Sequence, residues 1–253
     1  MTNPAFYSEV AGRFGGYPDW PPRATHYPEG DPEEFFDTVL TGLATADADL
    51  LDVGCADGRN LLALADRFAR VRGIDLSPEM LEAARRNQRE AGLDHVVFEL
   101  ADASATGLPD ASVDVVSSRR GPLYAAEFHR VLTDQGVVVH LGIGEQDVRA
   151  LKEVFGRGQN YGGWNAVPLA EEAQARLELA GFRVQHRGFR FDEHFHSADD
   201  LRGFLRKVPI FEDFDPVADQ ERFDAYAEQA ASPRGIHLAR HWFVLVASKE
   251  PAV

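Results

Sequence analysis

Asp52 and Asp75 each stand at the end of a short apolar run, and the first is followed, after Val53, by Gly54-Cys55-Ala56-Asp57-Gly58. Glycines there let the chain turn sharply and bring its backbone against a ligand, and a carboxylate at a strand end can accept from both hydroxyls of a ribose. Residue types in this order suit recognition of a nucleoside-bearing cofactor. A strand-to-helix turn with no ligand is the plain alternative for the loop taken alone.

Such residues work together only if their strands end together. Leu50 to Val53, Val71 to Leu76, Val96 to Ala103 and Val113 to Val116 are apolar runs of strand type, and Val137 to Leu141 follows a turn at Thr133 to Gly136. Between them the spacing predicts helices over Arg59 to Ala69, after the N-cap and N1 proline of Ser77-Pro78, and over Ala125 to Leu132. Alternation of this kind predicts a parallel, doubly wound α/β sheet with its ligand at the C-terminal ends of the strands.

Spacing separates the cofactors. A dinucleotide G-x-G-x-x-G laid on Gly54 needs glycines where Ala56 and Arg59 stand, which leaves a nicotinamide-dependent oxidoreductase as the alternative. Asp52 to Gly58 instead resembles motif I, roughly D-x-G-x-G-x-G, of the class I S-adenosylmethionine-dependent methyltransferases. Asp52, Gly54 and Gly58 match; Ala56 departs, and its methyl group is tolerable where φ stays negative. Asp102 with Leu108-Pro109, and Phe128-His129-Arg130-Val131-Leu132 running on to Gly136-Val137-Val138, resemble later segments of that family in the same order. The resemblance covers Asp31 to Gly144.

That family implies a Rossmann-like sheet of seven mostly parallel strands with a helical insert before the last. It also implies S-adenosyl-L-methionine as cofactor, S-adenosyl-L-homocysteine as product and a small-molecule methyl acceptor. Carried onto this chain, the cofactor falls to Asp52, Gly54, Cys55, Ala56, Gly58, Asp75, Leu76, Asp102, Ala103 and Ser117. Asp102 would meet the adenine amine, and Tyr7, at the head of an N-terminal helix, would cover the pocket. Methyl transfer is an in-line displacement that alignment accelerates, so no catalytic base is implied. A cofactor-binding protein without catalysis stays open.

Arg119 and Arg120 follow the fourth strand, where guanidinium groups can fork onto the carboxylate or phosphate of an anionic acceptor. Pairing with some of the 41 acidic residues is the competing use, and at most one of the two faces a substrate if the strand persists. Tyr161 and Trp164, in an aromatic loop with Asn165, are further acceptor candidates, against simple surface packing. His129 and His140 read as structural. His194 and His196 share a strand face, but no third ligand is evident and no metal is expected.

At 253 residues the chain suits one domain: a cap segment at 1–30, a core at 31–193, a substrate-cap insert at 194–235, and the final strand and tail at 236–253. The first thirty residues read as too irregular for a strand, with Tyr17 and Trp20 on a loop. A net charge of −15 makes nucleic acid an improbable partner. The single cysteine, Cys55, excludes an intramolecular disulfide, and no apolar run is long enough for a bilayer, so a cytoplasmic location is expected. Oligomeric state is not written in the sequence.

Overall fold

The computed structural model describes residues 4–16, 19–164 and 166–249, so Tyr17 and Asn165 lie outside it. Helix α1 (Pro4–Phe14), strand β1 (Arg23–His26) and helix α2 (Pro32–Leu43) precede the first core strand. Asp31 starts α2 by accepting from the backbone N–H groups of Glu33 and Glu34, with Pro32 at the first turn and Phe36 and Leu40 buried.

Strands β2 (Asp49–Val53), β3 (Arg70–Asp75), β4 (Val96–Leu100), β5 (Val113–Arg119) and β6 (Leu132–Ile143) run in parallel, in the spatial order β4-β3-β2-β5-β6. Strand β9 (Gly235–Lys249) lies antiparallel against β6, and β7 (Phe182–Phe195) antiparallel against β9. These seven strands are the expected sheet, with β9 alone reversed. The chain leaves β2 toward β3 on one side and pairs β2 with β5 on the other, which opens a crevice at their C-terminal ends.

Helices cover both faces. On one, α2 packs Phe36 and Leu40 against Val139, Phe189, Phe191 and Trp242. On the other, α5 (Ala125–Val131) and α7 (Leu169–Leu179) bury Phe128, Val131 and Leu177 against Val116, Val138 and Leu245. A further cluster joins α6 (Arg149–Phe155) to the insert helices α8 (Ala198–Leu205) and α9 (Gln220–Gln229) through Leu151, Phe155, Leu201, Phe211 and Phe223. Among the described residues no helix is long and apolar enough to cross a membrane.

Three local expectations need correction. The segment read as too irregular for a strand contains β1, which pairs antiparallel with the far end of β7 from Arg23↔Phe195 to His26↔Asp192. A long edge strand offers unpaired backbone groups that recruit even a proline-flanked tetrapeptide. Helix α3 (Arg59–Leu62) stops early, and a single 3-10 turn at Ala65–Arg67 leads into β3. Thr133 to Gly136 belong to the β6 run, but the register jumps from Val113↔Leu132 to Val115↔Val137, so they stand out as an irregularity and not as a turn between elements. A two-residue strand, β8 (Ala231–Ser232), also adds to β9.

Candidate active site

Strand β2 hands over to the loop through Gly54 and Cys55, whose N–H groups both donate to the Ile74 carbonyl, at 2.8 and 3.0 Å. Gly58 adopts φ 73°, and a Cβ there would sit 2.5 Å from Phe98 Cζ. Packing under Phe98 therefore keeps this position glycine, whatever the ligand. Gly54, at φ 72°, faces Pro122 and Gly121 of the loop after β5.

Ala56 does not meet the condition set for it. Its φ is +49°, in the left-handed region, which costs roughly 1–2 kcal/mol for a residue with a Cβ. What holds it there is a hydrogen bond: Ala56 N–H donates to Asp75 Oδ2 at 2.9 Å. Ser77 N–H donates to the other oxygen, Oδ1, at 2.9 Å. Loss of solvation pushes the Asp75 carboxyl above its ordinary value, and these backbone donors oppose the rise. Each oxygen keeps a lone pair for a ligand hydroxyl.

Asp52 and Ser117 are neighbours in register across β2 and β5, and Ser117 Oγ donates to Asp52 Oδ1 at 2.6 Å. Loss of solvation pushes Asp52 up to about 6, against the Ser117 bond and the nearby Arg119 charge. Cys55 is buried and its thiol is pushed well up by the same cause, which makes it a packing residue and not a nucleophile.

Leu76 is 45% exposed beside Asp75, an apolar surface at the mouth of the crevice. Asp102 is exposed and its Oδ1 accepts from Ser104 N–H at 2.8 Å, while Ala103 is buried. Two residues behind this edge were not singled out in the sequence. Glu127 Oε1 accepts from Thr106 N–H and Oγ1–H at 2.8 and 2.6 Å, and Arg130 Nη1 donates to the Leu108 carbonyl at 2.7 Å. Arg130 also bonds Glu127, first among the causes that hold the Glu127 carboxyl down at about 2. Together they pin the segment from Thr106 to Leu108 onto α5. Their i, i+3 spacing was the signal available beforehand.

Helix α1 lies across α4 (Pro78–Ala91), with Val10 and Ala11 buried on Met80 and with Tyr7 and Ala56 packed at the margin. Ser8 Oγ meets Ser77 Oγ at 3.0 Å. The structure thus brings Tyr7 to the glycine loop.

Both arginines after β5 lie against α2. Arg119 pairs with Asp37 and reaches Glu33 at 3.5 Å, and Arg120 pairs with Glu33 at 2.8 Å. Their guanidinium carbons sit 4.6 Å from the Phe36 ring centre and 4.9 Å from that of Trp242. Arg120 has φ +57°, so strand alternation ends before it. Tyr161 and Trp164 contact each other edge-on at 5.9 Å, and Trp164 lies over Arg149 and Lys152 of α6 at 5.5 and 5.8 Å. A cavity of about 80 Å³ separates α1 from the insert, lined by Phe6, Val10 and Arg13 on one side and by Leu205, Phe211 and Phe214 on the other. Trp20 leans on Phe204 of α8 at 5.8 Å, tying the N-terminal segment to the insert.

The histidines hold no metal arrangement. Among the described residues no group of three His, Cys, Asp or Glu could take an ion. His194 stacks on His237 at 5.1 Å, and His129 packs edge-on against Phe182. His140 is buried, its Nδ1 has no partner, and loss of solvation pulls it down to about 4.

Comparison with known proteins agrees with this geometry. Residues 50–136 match the family model described as a methyltransferase domain. A 27-O-demethylrifamycin SV methyltransferase of Amycolatopsis mediterranei is 42% identical over 198 residues, covering 72% of this chain and 64% of that protein. The chain spans less than two thirds of the length of the first curated relatives it matches. Among solved structures, the YcgJ protein of Bacillus subtilis aligns with a TM-score of 0.67 at 16% identity, covering 87% of this chain and all of that one. The [4+2]-cyclase SpnF aligns with a TM-score of 0.60 at 20% identity, covering 98% and 93%. Sheet order, glycine loop and matched segment agree: residues 50–136 match a methyltransferase domain, and the fold is the Rossmann-like one of the methyltransferase structures it aligns with.

Proposed function

We propose that this protein transfers a methyl group from S-adenosyl-L-methionine to a small molecule and releases S-adenosyl-L-homocysteine. One observation carries the reading: the Asp75 carboxylate is fixed at the end of β3 by two backbone N–H groups, with lone pairs left over beside the exposed Leu76. Asp75 would take the ribose hydroxyls, Leu76 and Ala103 would flank the adenine, and Asp102 would accept from its amine. Asp52, Gly54, Cys55, Ala56, Gly58 and Ser117 would surround the amino-acid end, with Tyr7 covering it. Ionised Asp52 would sit well beside a cationic ligand group.

Bound there, the cofactor supplies a methyl group already activated by its sulfonium. The chain's own work is to align an acceptor with it and to exclude water. The rifamycin relative acts, by its name, on a small molecule, and we extend that class to this protein. The net charge of −15 argues against a nucleic-acid acceptor. An arginine clamp on an anionic acceptor would first have to displace Glu33 and Asp37 from Arg119 and Arg120. A buried lone thiol suits a reducing cytoplasm.

Calorimetry with S-adenosylhomocysteine and Asp75→Ala tests the cofactor assignment, and passage of a labelled methyl group to the acceptor, with release of S-adenosylhomocysteine, tests transfer. The cyclase neighbour gives a second reading, that this fold holds the cofactor here without methyl transfer. Binding with no turnover across acceptors would favour it. Binding of reduced nicotinamide with no heat from S-adenosylhomocysteine would reject both.

A further inference from the structure

Lys152 places an ammonium group where an apolar side chain would fit. It is 2% exposed on α6, with the Asp147 carboxylate and the Arg240 guanidinium as its charged neighbours. Its stem passes Gly158, where a Cβ would sit 3.1 Å from Lys152 Cγ and 2.8 Å from Phe211 Cε1. The Trp164 ring covers the head at 5.8 Å. Loss of solvation pulls the amine down to about 8, with Asp147 of the preceding loop opposing and Arg240 of β9 assisting. Arg149, on the same helix, shares the Trp164 ring.

A donor nearby is left over. Trp242 Nε1 is buried without a partner, and its ring lies 4.9 Å from the guanidinium carbons of both Arg240 and Arg120. An unsatisfied buried donor costs about 1–3 kcal/mol, so a fold that keeps Trp242 Nε1 unpaired calls for an explanation. Helix α6 begins just beyond the C-terminal end of β6, the edge at which β3 presents Asp75 and β5 presents Arg119. A ligand arriving at that edge would meet the Lys152 ammonium group.

We infer that Lys152 binds the oxygen anion of the methyl acceptor, and that this acceptor is a phenol or enol on a flat, apolar skeleton. The inference rests on the methyltransferase reading above. A carboxylate or phosphate is matched best by a guanidinium fork, but Arg119, Arg120 and Arg240 are all engaged by carboxylates of this chain. Lysine offers a compact charge suited to one oxygen, and the half-exposed Trp164 ring beside it suits a planar body. In the transfer the acceptor hydroxyl gives its proton to solvent. The oxygen's electron pair forms the bond to the methyl carbon, and the pair of the carbon–sulfur bond goes to sulfur. Lys152 keeps its proton and holds the negative charge.

The test is binding of 4-nitrophenolate, followed by its absorbance, to the protein saturated with S-adenosylhomocysteine. Wild type binds, and Lys152→Met weakens that binding roughly tenfold or more while S-adenosylhomocysteine affinity stays within about twofold. Wild-type binding also falls as pH rises through about 8, where the ammonium loses its proton, and the variant lacks this fall. Lys152→Gln gives the same result if the methionine variant does not fold. No binding of 4-nitrophenolate to the wild-type complex, or equal binding by wild type and variant, overturns the inference. Absence of S-adenosylhomocysteine binding to wild type removes the methyltransferase reading itself.

Discussion

Two of the regions that draw carboxylates away from water do so in opposite ways. At the ends of β2 and β3, Asp52 and Asp75 are met by a hydroxyl and by backbone N–H groups, and loss of solvation leaves both carboxyls above their ordinary values. Under the insert, Asp147 and Glu193 close on Arg240 at 3.0 and 2.6 Å, with Arg23 on Glu193 at 2.5 Å. There Glu193 is held below its ordinary value by the arginine charges although it is buried. The first region is electrostatically open, with acceptors to spare, and the second is saturated. Openness of this kind marks a place for a ligand; saturation marks scaffold.

The largest effect should come from breaking the saturated region. Arg240→Met strands Asp147 and Glu193 in the interior and should lower stability by about 3–5 kcal/mol in denaturant unfolding. A loss under about 1 kcal/mol would mean that this region is not closed in the way described. Gly58→Ala should follow, at roughly 3 kcal/mol, because the new Cβ meets Phe98 and the backbone is left-handed. Unfolding by urea measures it, and a neutral result would return the glycine to a purely cofactor-driven role.

Asp75→Ala should act most strongly on the ligand, and should also cost about 1–3 kcal/mol of stability by freeing the Ala56 and Ser77 N–H groups. S-adenosylhomocysteine should bind about thirtyfold more weakly, or worse, by calorimetry. Unchanged affinity would falsify the view that open acceptors mark the cofactor site. Asp52 supplies a pH test. Its folded value, about 6, lies above the unfolded one, so its stabilising contribution is present at low pH and is lost as pH rises through about 6. A cationic ligand beside it reverses the preference, so cofactor affinity should climb across the same window, with proton release. Asp52→Asn should flatten both curves; a persistent slope would assign the titration elsewhere.

The smallest effect belongs to Ala56→Gly. Relief of the left-handed strain, offset by the greater freedom of glycine in the unfolded chain, should raise stability by about 0.5 kcal/mol without weakening cofactor binding. A thermal shift downward would show that the Ala56 methyl packs usefully against Tyr7 and Met80.

Legibility in the sequence divides along the same line. The strand-end half of the site is legible because an acid lies at or within two residues of the ends of β2, β3 and β4, and glycines follow β2, so type and position coincide. Asp52, Asp75, Ser117 and Tyr7 gather where the order of elements places them. The left-handed φ of Ala56 is not legible locally, because it is decided by the Asp75 carboxylate nineteen positions on, which no local propensity reports. Strand β1 was missed because it exists only through the exposed edge of β7. The double use of Arg119 and Arg120 was left open for the same reason: Glu33 and Asp37 are distant in the chain and adjacent only once α2 packs on the sheet.

By itself the sequence determined the alternation of strands and helices, the acids at strand ends and the glycines of the turn, since these depend on spacing and backbone conformation within a few residues. Tertiary structure alone decided which charges are satisfied. Arginine pairs, the unsolvated Lys152 and the strained Ala56 arise when segments far apart in the chain are pressed together and water is removed, and the strength of every charge then depends on the neighbours that remain.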